Sequence, residues 1–281
     1  MCTRVSLILP LVLALSGSAE AGQAPTVPKQ TTVSSANLQS SPDPFVLRVV
    51  TMTYDKNSTA VRFSATERLA GAHGDAKVQQ ENGVTEIEIE LNGMKPGWSF
   101  GGDFSTYVLW AVSPEGHTDN LGEIILNGNR SRLKVSTRMD NFGLIVTAEP
   151  HFMVDHPSPL VVLMNRDPAI PMRRPPQLVQ LNLAAQNPGY RFERENLRNV
   201  PAARGDVSSA LRQAQVAVQR AIGTGRLTSD QLREVQESLY RVEGAAETRS
   251  PMDPDVEMMA RRTVRLAVAA EKRALSGTAL P

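Results

Sequence analysis

The stretch Glu86-Ile87-Glu88-Ile89-Glu90-Leu91 alternates charged and apolar side chains. Because successive side chains of a β-strand point to opposite faces, this pattern predicts a strand with one buried and one solvated face. Asn82-Gly83, just before it, favours a hairpin, since both central positions of a type I′ turn need positive φ. Three carboxylates in a row could also suggest a metal site, but like charges repel on one sheet face, and we expect these to face water. The segment therefore predicts a hairpin with one solvated face.

Other strand patterns surround this segment. Tyr107–Val112 is apolar on both faces and predicts a central strand buried on both sides. Asn127-Gly128 is a second hairpin signal. Shorter strand-like runs lie at 46–53, 60–64, 144–148 and 160–164. Several short strands separated by turns predict an antiparallel sandwich or barrel. We expect a β-sandwich, immunoglobulin-like or related, over residues 45–165.

The C-terminal part has helical periodicity. One apolar seam follows a spacing of three and four residues, formed by Leu232, Val235, Leu239 and Val242. Thr228 and Gln231 have the spacing of a capping box, and Asp253-Pro254 is typical of a helix start. We expect a small antiparallel three-helix bundle over residues 206–276, in a domain separate from the sandwich.

The first 21 residues are typical of a secretory signal peptide. Arg4 precedes a short apolar run, and Ala19-Glu20-Ala21 has the small–x–small pattern of a cleavage site. The run is too short to cross a bilayer, which takes roughly 20 residues. We expect cleavage at Ala19 to Ala21 and a periplasmic or secreted mature protein with no integral membrane segment.

Two proline-rich stretches separate these parts. Residues 22–44 combine proline with Gln, Ser and Thr, which predicts a disordered linker. Residues 166–205 predict a second linker, because proline at this density prevents a regular helix or central strand, although 177–185 could form a short extra element. Residues 277–281 are expected to form a short tail.

The composition excludes several functional classes. Lys and Arg total 30 against 29 Asp and Glu, a net charge of +1, so the chain lacks the strongly basic character of many nucleic-acid-binding domains. The single cysteine, Cys2, lies in the signal segment, which rules out zinc–thiolate and thiol chemistry in the mature chain. We expect no cofactor.

Three segments hold candidate site residues. His151, Asp155 and His156 could bind a metal ion, although a polar loop is the preferred interpretation. Trp98 and Phe100, in a glycine-rich stretch, could stack on a sugar or peptide, or fold back over the core. A basic helix side could contact an acidic partner, such as a cell-wall polymer or lipid head groups, and comprises Arg261, Arg262, Arg265, Lys272 and Arg273.

Three stretches carry a family resemblance, and they are Thr106–Gly116 (TYVLWAVSPEG), Asn120–Glu123 (NLGE) and Phe142–Pro150 (FGLIVTAEP). Their frame is similar to the extracytoplasmic domain of anti-sigma-K factors. The longer match, with Ala72–Val78, resembles the N-terminal β-domain of exported proteins with a C-terminal OmpA-like domain. In those proteins an alanine-rich helical region follows, as at Ala210–Leu275. The peptidoglycan-binding domain of these relatives is not found before Pro281, and the family implies no catalytic residues.

These observations favour a non-enzymatic exported envelope protein that acts as an interaction or scaffold module. Its expected partner is an envelope protein or a cell-wall component, and not a nucleic acid. Two alternatives are a carbohydrate- or small-ligand-binding protein that uses the Trp98 loop or a sheet face, and an unrecognised metal-dependent enzyme.

Overall fold

The computed structural model describes residues 46–166, 168, 174–183, 209–250 and 253–277. The signal segment with Ala19 and Ala21, the 22–44 linker and most of the second linker lie outside the described residues. The predictions for those segments stay predictions.

The described residues of the first part of the chain form ten strands. They are β1 (Val46–Thr53), β2 (Thr59–Ala65), β3 (His73–Glu81), β4 (Val84–Asn92), β5 (Thr106–Val112), β6 (Thr118–Ile124), β7 (Ser131–Thr137), β8 (Asn141–Glu149), β9 (Val161–Asn165) and β10 (Gln177–Asn182). The strands pair antiparallel in the order β10-β1-β8-β9-β2-β3-β4-β7, and β5 pairs with both β8 and β6.

The hairpin of β3 and β4 forms where the sequence predicts it. Asn82 and Gly83 take positive φ values of 53° and 78° at its turn. Ile87, Ile89 and Leu91 are buried, whereas the three glutamates that alternate with them, at 86, 88 and 90, point to solvent. Cations of β7 lie opposite these glutamates: Lys134 pairs with Glu86 at 3.2 Å and Arg132 pairs with Glu90.

Strand β5 separates two apolar cores. Tyr107, Leu109 and Ala111 belong to the central core, to which β1–β6, β8 and β9 also contribute side chains. Val108, Trp110 and Val112 face a second core on the other side. That core is completed by Leu47 and Val49 of β1, Ile145, Val154 and Val161, and Leu181 and Leu183 at β10. All seven residues of β5 are buried, so the predicted burial on both faces is confirmed.

Three helices follow the sheet among the described residues: α1 (Ser209–Gly223), α2 (Ser229–Thr248) and α3 (Pro254–Ser276). The capping box is confirmed, because Thr228 Oγ1 accepts a bond from Gln231 N (3.2 Å) and Gln231 Oε1 accepts one from Thr228 N (2.9 Å). Asp253 caps α3 by accepting a bond from Asp255 N (2.8 Å). Alanine supplies much of the helical core, which lets the helix backbones approach closely.

The sheet and the helices contact each other directly. Phe152 and Met153, in the loop between β8 and β9, pack against the helical core. The described residues from Val46 onward belong to one compact unit, although separate domains are expected from the sequence. The mixed β and α composition is thus confirmed. In the described part of the chain, no helix combines the length and apolar character needed to cross a membrane.

Candidate functional site

The polar contacts between sheet and helices centre on Glu123 of β6. Its carboxylate accepts hydrogen bonds from Thr106 Oγ1 (2.7 Å), Gln213 Nε2 (2.6 Å) and an Arg261 Nη (2.6 Å). The side chain of Glu123 is only 7% exposed. Gln213 also accepts a bond from Phe152 N (2.9 Å), so α1, α3, β5, β6 and the β8–β9 loop meet here. We call this set of contacts the junction.

Arg261 of α3 completes the junction. Its Nε lies 3.0 Å from Glu257, and its guanidinium lies 5.2 Å from the centroid of the Phe152 ring. Burial opposes its charge, but Glu123 and Glu257 outweigh that cost, and together they raise the pKa of Arg261 above its ordinary value. Arg261 therefore holds helix to sheet, which the sequence does not reveal.

The proposed metal-binding residues are distributed between the interior and the surface. His151 is buried, and its Nδ1 has no hydrogen-bond partner in the described part of the chain. Asp155 is exposed and forms an ion pair with Lys272 of α3 at 2.6 Å, and His156 is exposed. Among the described residues, no three His, Cys, Asp or Glu side chains are grouped so that they could hold a metal ion.

His151 is held neutral by its surroundings. Burial lowers its pKa to about 3, and the positive charges of Arg220 and Lys272 act in the same direction, while Asp155 acts against them. The segment 151–156 thus packs the helices against the sheet: Phe152 and Met153 contact the helical core, and Asp155 contacts α3.

The basic side of α3 divides into two groups. Arg261 and Lys272 are engaged with Glu123 and Asp155, so they do not form a free basic surface. The other three arginines, Arg262, Arg265 and Arg273, are exposed and have no carboxylate within salt-bridge distance among the described residues. We call these three the arginine stripe.

The two aromatic candidates behave differently. Both lie in a short 3₁₀ turn, Gly97–Phe100. Phe100 packs against the central core, with its ring edge on Tyr107 (centroids 6.3 Å apart, 89° between planes). Trp98 is 49% exposed. The turn lies tightly against β5, because a Cβ at Gly97 would come within 2.7 Å of Thr106 N. Trp98 is therefore an exposed aromatic on an anchored turn.

Sequence reasoning missed Glu123 and Gln213. Glu123 lies in the polar NLGE segment, where a glutamate side chain is expected to face water. Gln213 belongs to no sequence motif. A glutamine among the apolar residues of α1 was the one available signal, because polar side chains buried in a helix face need a partner.

A scan of protein-family models, a search of curated proteins and a search of solved structures each found no match to this chain. The resemblance to the OmpA-like-domain proteins and to anti-sigma-K factors therefore stays a prediction, and the function is argued from geometry.

Proposed function

We propose that the protein is a non-enzymatic exported envelope protein, periplasmic or secreted, that binds an anionic partner through the arginine stripe. The partner is an envelope protein or a cell-wall component. The resemblance to envelope β-domains supports this assignment, and so does the signal-peptide pattern of residues 1–21.

The arginine stripe carries the proposal because it lies along one face of α3. At 100° per residue, Arg262, Arg265 and Arg273 fall within about 80° of one another around the helix axis. At 1.5 Å per residue they span about 16 Å. Met258, 63% exposed, lies on the same face and adds apolar contact area. Arginine donates paired hydrogen bonds that match carboxylate and phosphate groups, so an anionic surface is the complementary partner.

The junction supports an interaction module in another way. It fixes α3 to the sheet through Glu123, and the Asp155–Lys272 ion pair adds a second contact outside the junction, so the stripe lies on an anchored helix. A surface that is already ordered loses less entropy on binding. The two cores on either side of β5 also support the finer fold proposal, a layered sandwich in which β1 and β10 cover one face of β5 and β8.

Binding to purified cell-wall material and to an envelope extract tests the proposal. The triple variant Arg262→Glu, Arg265→Glu, Arg273→Glu should lose binding, and added salt should weaken the wild-type interaction. The matched control is Lys56→Glu, Arg68→Glu, Arg138→Glu, which reverses three exposed cations in the connections between strands and should bind like wild type. Equal binding by both triple variants would contradict the proposal, as would fractionation that finds the protein in the cytosol with Met1 intact.

Trp98 supports a second candidate function, carbohydrate or small-ligand binding. An exposed indole on an anchored turn can stack on a sugar ring. Thermal-shift screening against glycans tests this, since a ligand that binds the folded form raises the melting temperature. The shift should disappear in Trp98→Ala, and no shift across a broad glycan set would exclude this candidate.

A further inference from the structure

A cleft opens at the end of the β4–β7 pair, with a volume of about 270 Å³. Glu90, Leu91 and Asn92 of β4 line one side, and Ser131 and Arg132 of β7 line the other. The turn before β7 supplies Asn127 and Arg130. These residues belong neither to the arginine stripe nor to the Trp98 turn.

The cleft is built on a fixed turn. Asn127 N donates to Arg130 O (2.7 Å) and Arg130 N donates to Asn127 O (3.2 Å), with Gly128 at a φ of 62° between them. Met94 N donates to Asn129 O (3.0 Å) and ties the turn to the chain after β4. The lining side chains therefore project from a scaffold that is ordered before any ligand binds.

Several lining groups have unused bonding capacity. Ser131 is 8% exposed, and its buried Oγ has no hydrogen-bond partner in the described part of the chain. Such a group costs free energy and calls for an explanation. Arg130 forms no ion pair with any described residue, whereas Arg132 is neutralised by Glu90. The lining therefore carries one unbalanced positive charge beside a buried hydroxyl and two carboxamides.

We infer that this cleft binds a small hydroxylated carboxylate of the sugar-acid class. The carboxylate pairs with Arg130, and hydroxyl groups bond with Ser131 Oγ and the side-chain amides of Asn92 and Asn127. The volume lies just below the roughly 300 Å³ at which pockets for drug-sized ligands begin, so the ligand is small. Ser131 Oγ and the side-chain amides of Asn92 and Asn127 favour a hydroxylated ligand over a purely apolar one, because burying these groups without partners would be unfavourable.

Calorimetric titration of the full chain tests the inference with three probes: D-glucuronate, D-glucose and inorganic phosphate. D-Glucuronate should bind, and it should bind more tightly than either D-glucose, which lacks the carboxylate, or phosphate, which lacks the hydroxyl pattern. Arg130→Ala should weaken D-glucuronate binding about tenfold or more, because a charge-assisted hydrogen bond is lost. The matched control, Arg138→Ala, removes an exposed arginine beyond the far end of β7 and should leave the affinity unchanged.

A second variant separates binding from folding. Ser131 Oγ bonds to no described protein group, so Ser131→Ala should keep or raise the melting temperature of the free protein and lower D-glucuronate affinity about two- to tenfold. Binding of D-glucuronate weaker than about 1 mM would overturn the inference, as would equal binding of phosphate or wild-type affinity in Arg130→Ala. The charge-reversed arginine stripe should bind D-glucuronate normally, so the two proposals can fail separately.

Discussion

Trp110 shows how single polar atoms are satisfied inside this fold. Its indole Nε1 donates to Thr147 Oγ1 (2.8 Å), and Thr147 in turn donates to Glu149 Oε1 (2.5 Å). The backbone N of Ser158 donates to the same carboxylate oxygen (2.7 Å). The three side chains are fully buried. The apolar pattern of β5 predicts that Trp110 is buried, but its acceptor comes from β8, which only strand pairing brings alongside.

Replacing Thr147 with valine should test this chain of hydrogen bonds. The variant keeps the β-branched shape but leaves the Trp110 N–H without its acceptor, so we expect a loss of about 1–3 kcal/mol in the free energy of unfolding. Urea unfolding measures it. Thr53→Val is the control, because Thr53 is half-buried in β1 and forms no side-chain hydrogen bond with a described residue. A change of about 0.5 kcal/mol or less in both variants would contradict this account.

His151 should make stability depend on pH. Its folded-state pKa of about 3 lies below the unfolded value of 6.5, so the unfolded chain binds the extra proton more readily. The contribution of neutral His151 is therefore fully present above pH 6.5 and is lost as the pH falls toward 3. The charged groups that face it are Arg220 of α1 and Lys272 of α3, which lower its pKa further, and Asp155 of its own loop, which raises it.

The corresponding variant is His151→Phe, which has a ring that never takes up a proton. Between pH 7 and 5, wild type should lose about 2 kcal/mol more of its free energy of unfolding than the variant, at about 1.4 kcal/mol per pH unit below 6.5. Urea unfolding at both pH values measures the difference. His156→Asn, which replaces the exposed histidine of the same loop, should keep the wild-type pH dependence, and an equal slope in His151→Phe would exclude His151 as its source.

At the scale of elements, β6 and α3 are joined mainly by one carboxylate. Glu123 and Arg261 are 138 residues apart, and their side chains are 7% and 23% exposed. Removing Glu123 would leave only the more exposed Glu257 to compensate the partly buried charge of Arg261. Nothing in the periodicity of either segment indicates this pair, whereas the hairpin turn and the capping box are local and were predicted.

Glu123→Gln should therefore loosen α3 from the sheet. The amide keeps the size of the side chain but removes the charge opposite Arg261, and we expect a loss of about 3 kcal/mol in the free energy of unfolding. Amide hydrogen exchange should show faster exchange in α3. Glu88→Gln is the matched control, since Glu88 lies on the solvated face of β4 without an ion pair among the described residues. Equal stability of the two variants would show that the junction contributes little.

The molecule as a whole is expected to unfold as one unit. Phe152, Met153 and Glu123 connect the sheet to the helical core, so separating the two parts would expose apolar surface and an unpaired charge. The isolated bundle would lose the packing that covers one side of α3.

A two-probe unfolding experiment checks this expectation. In Trp98→Phe, the remaining tryptophan, Trp110, is fully buried in the sheet, so its fluorescence reports on the sheet alone. Far-UV circular dichroism reports mainly on the helices. The two transitions should coincide, as two-state unfolding requires. Two separate midpoints would show that sheet and helices unfold independently. In that case, adding Glu123→Gln should shift only one of the two midpoints.

The sequence by itself determined the local features of this protein. The alternation at Glu86–Leu91, the doubly apolar Tyr107–Val112, the Asn82-Gly83 turn and the Thr228–Gln231 cap each depend on residues close together in the chain, and each appears in the structure. Backbone geometry and side-chain period fix such features within a few residues.

Tertiary structure alone decided which polar groups meet. The role of Glu123, the burial of His151 and the division of the α3 cations into those with and those without a carboxylate partner all depend on contacts between distant segments. The same residue types in the same periodicity could face water or a partner, because burial and charge pairing depend on what packs against them. The folded structure is therefore needed to identify the candidate surfaces, whereas the strands and helices can be predicted from the sequence.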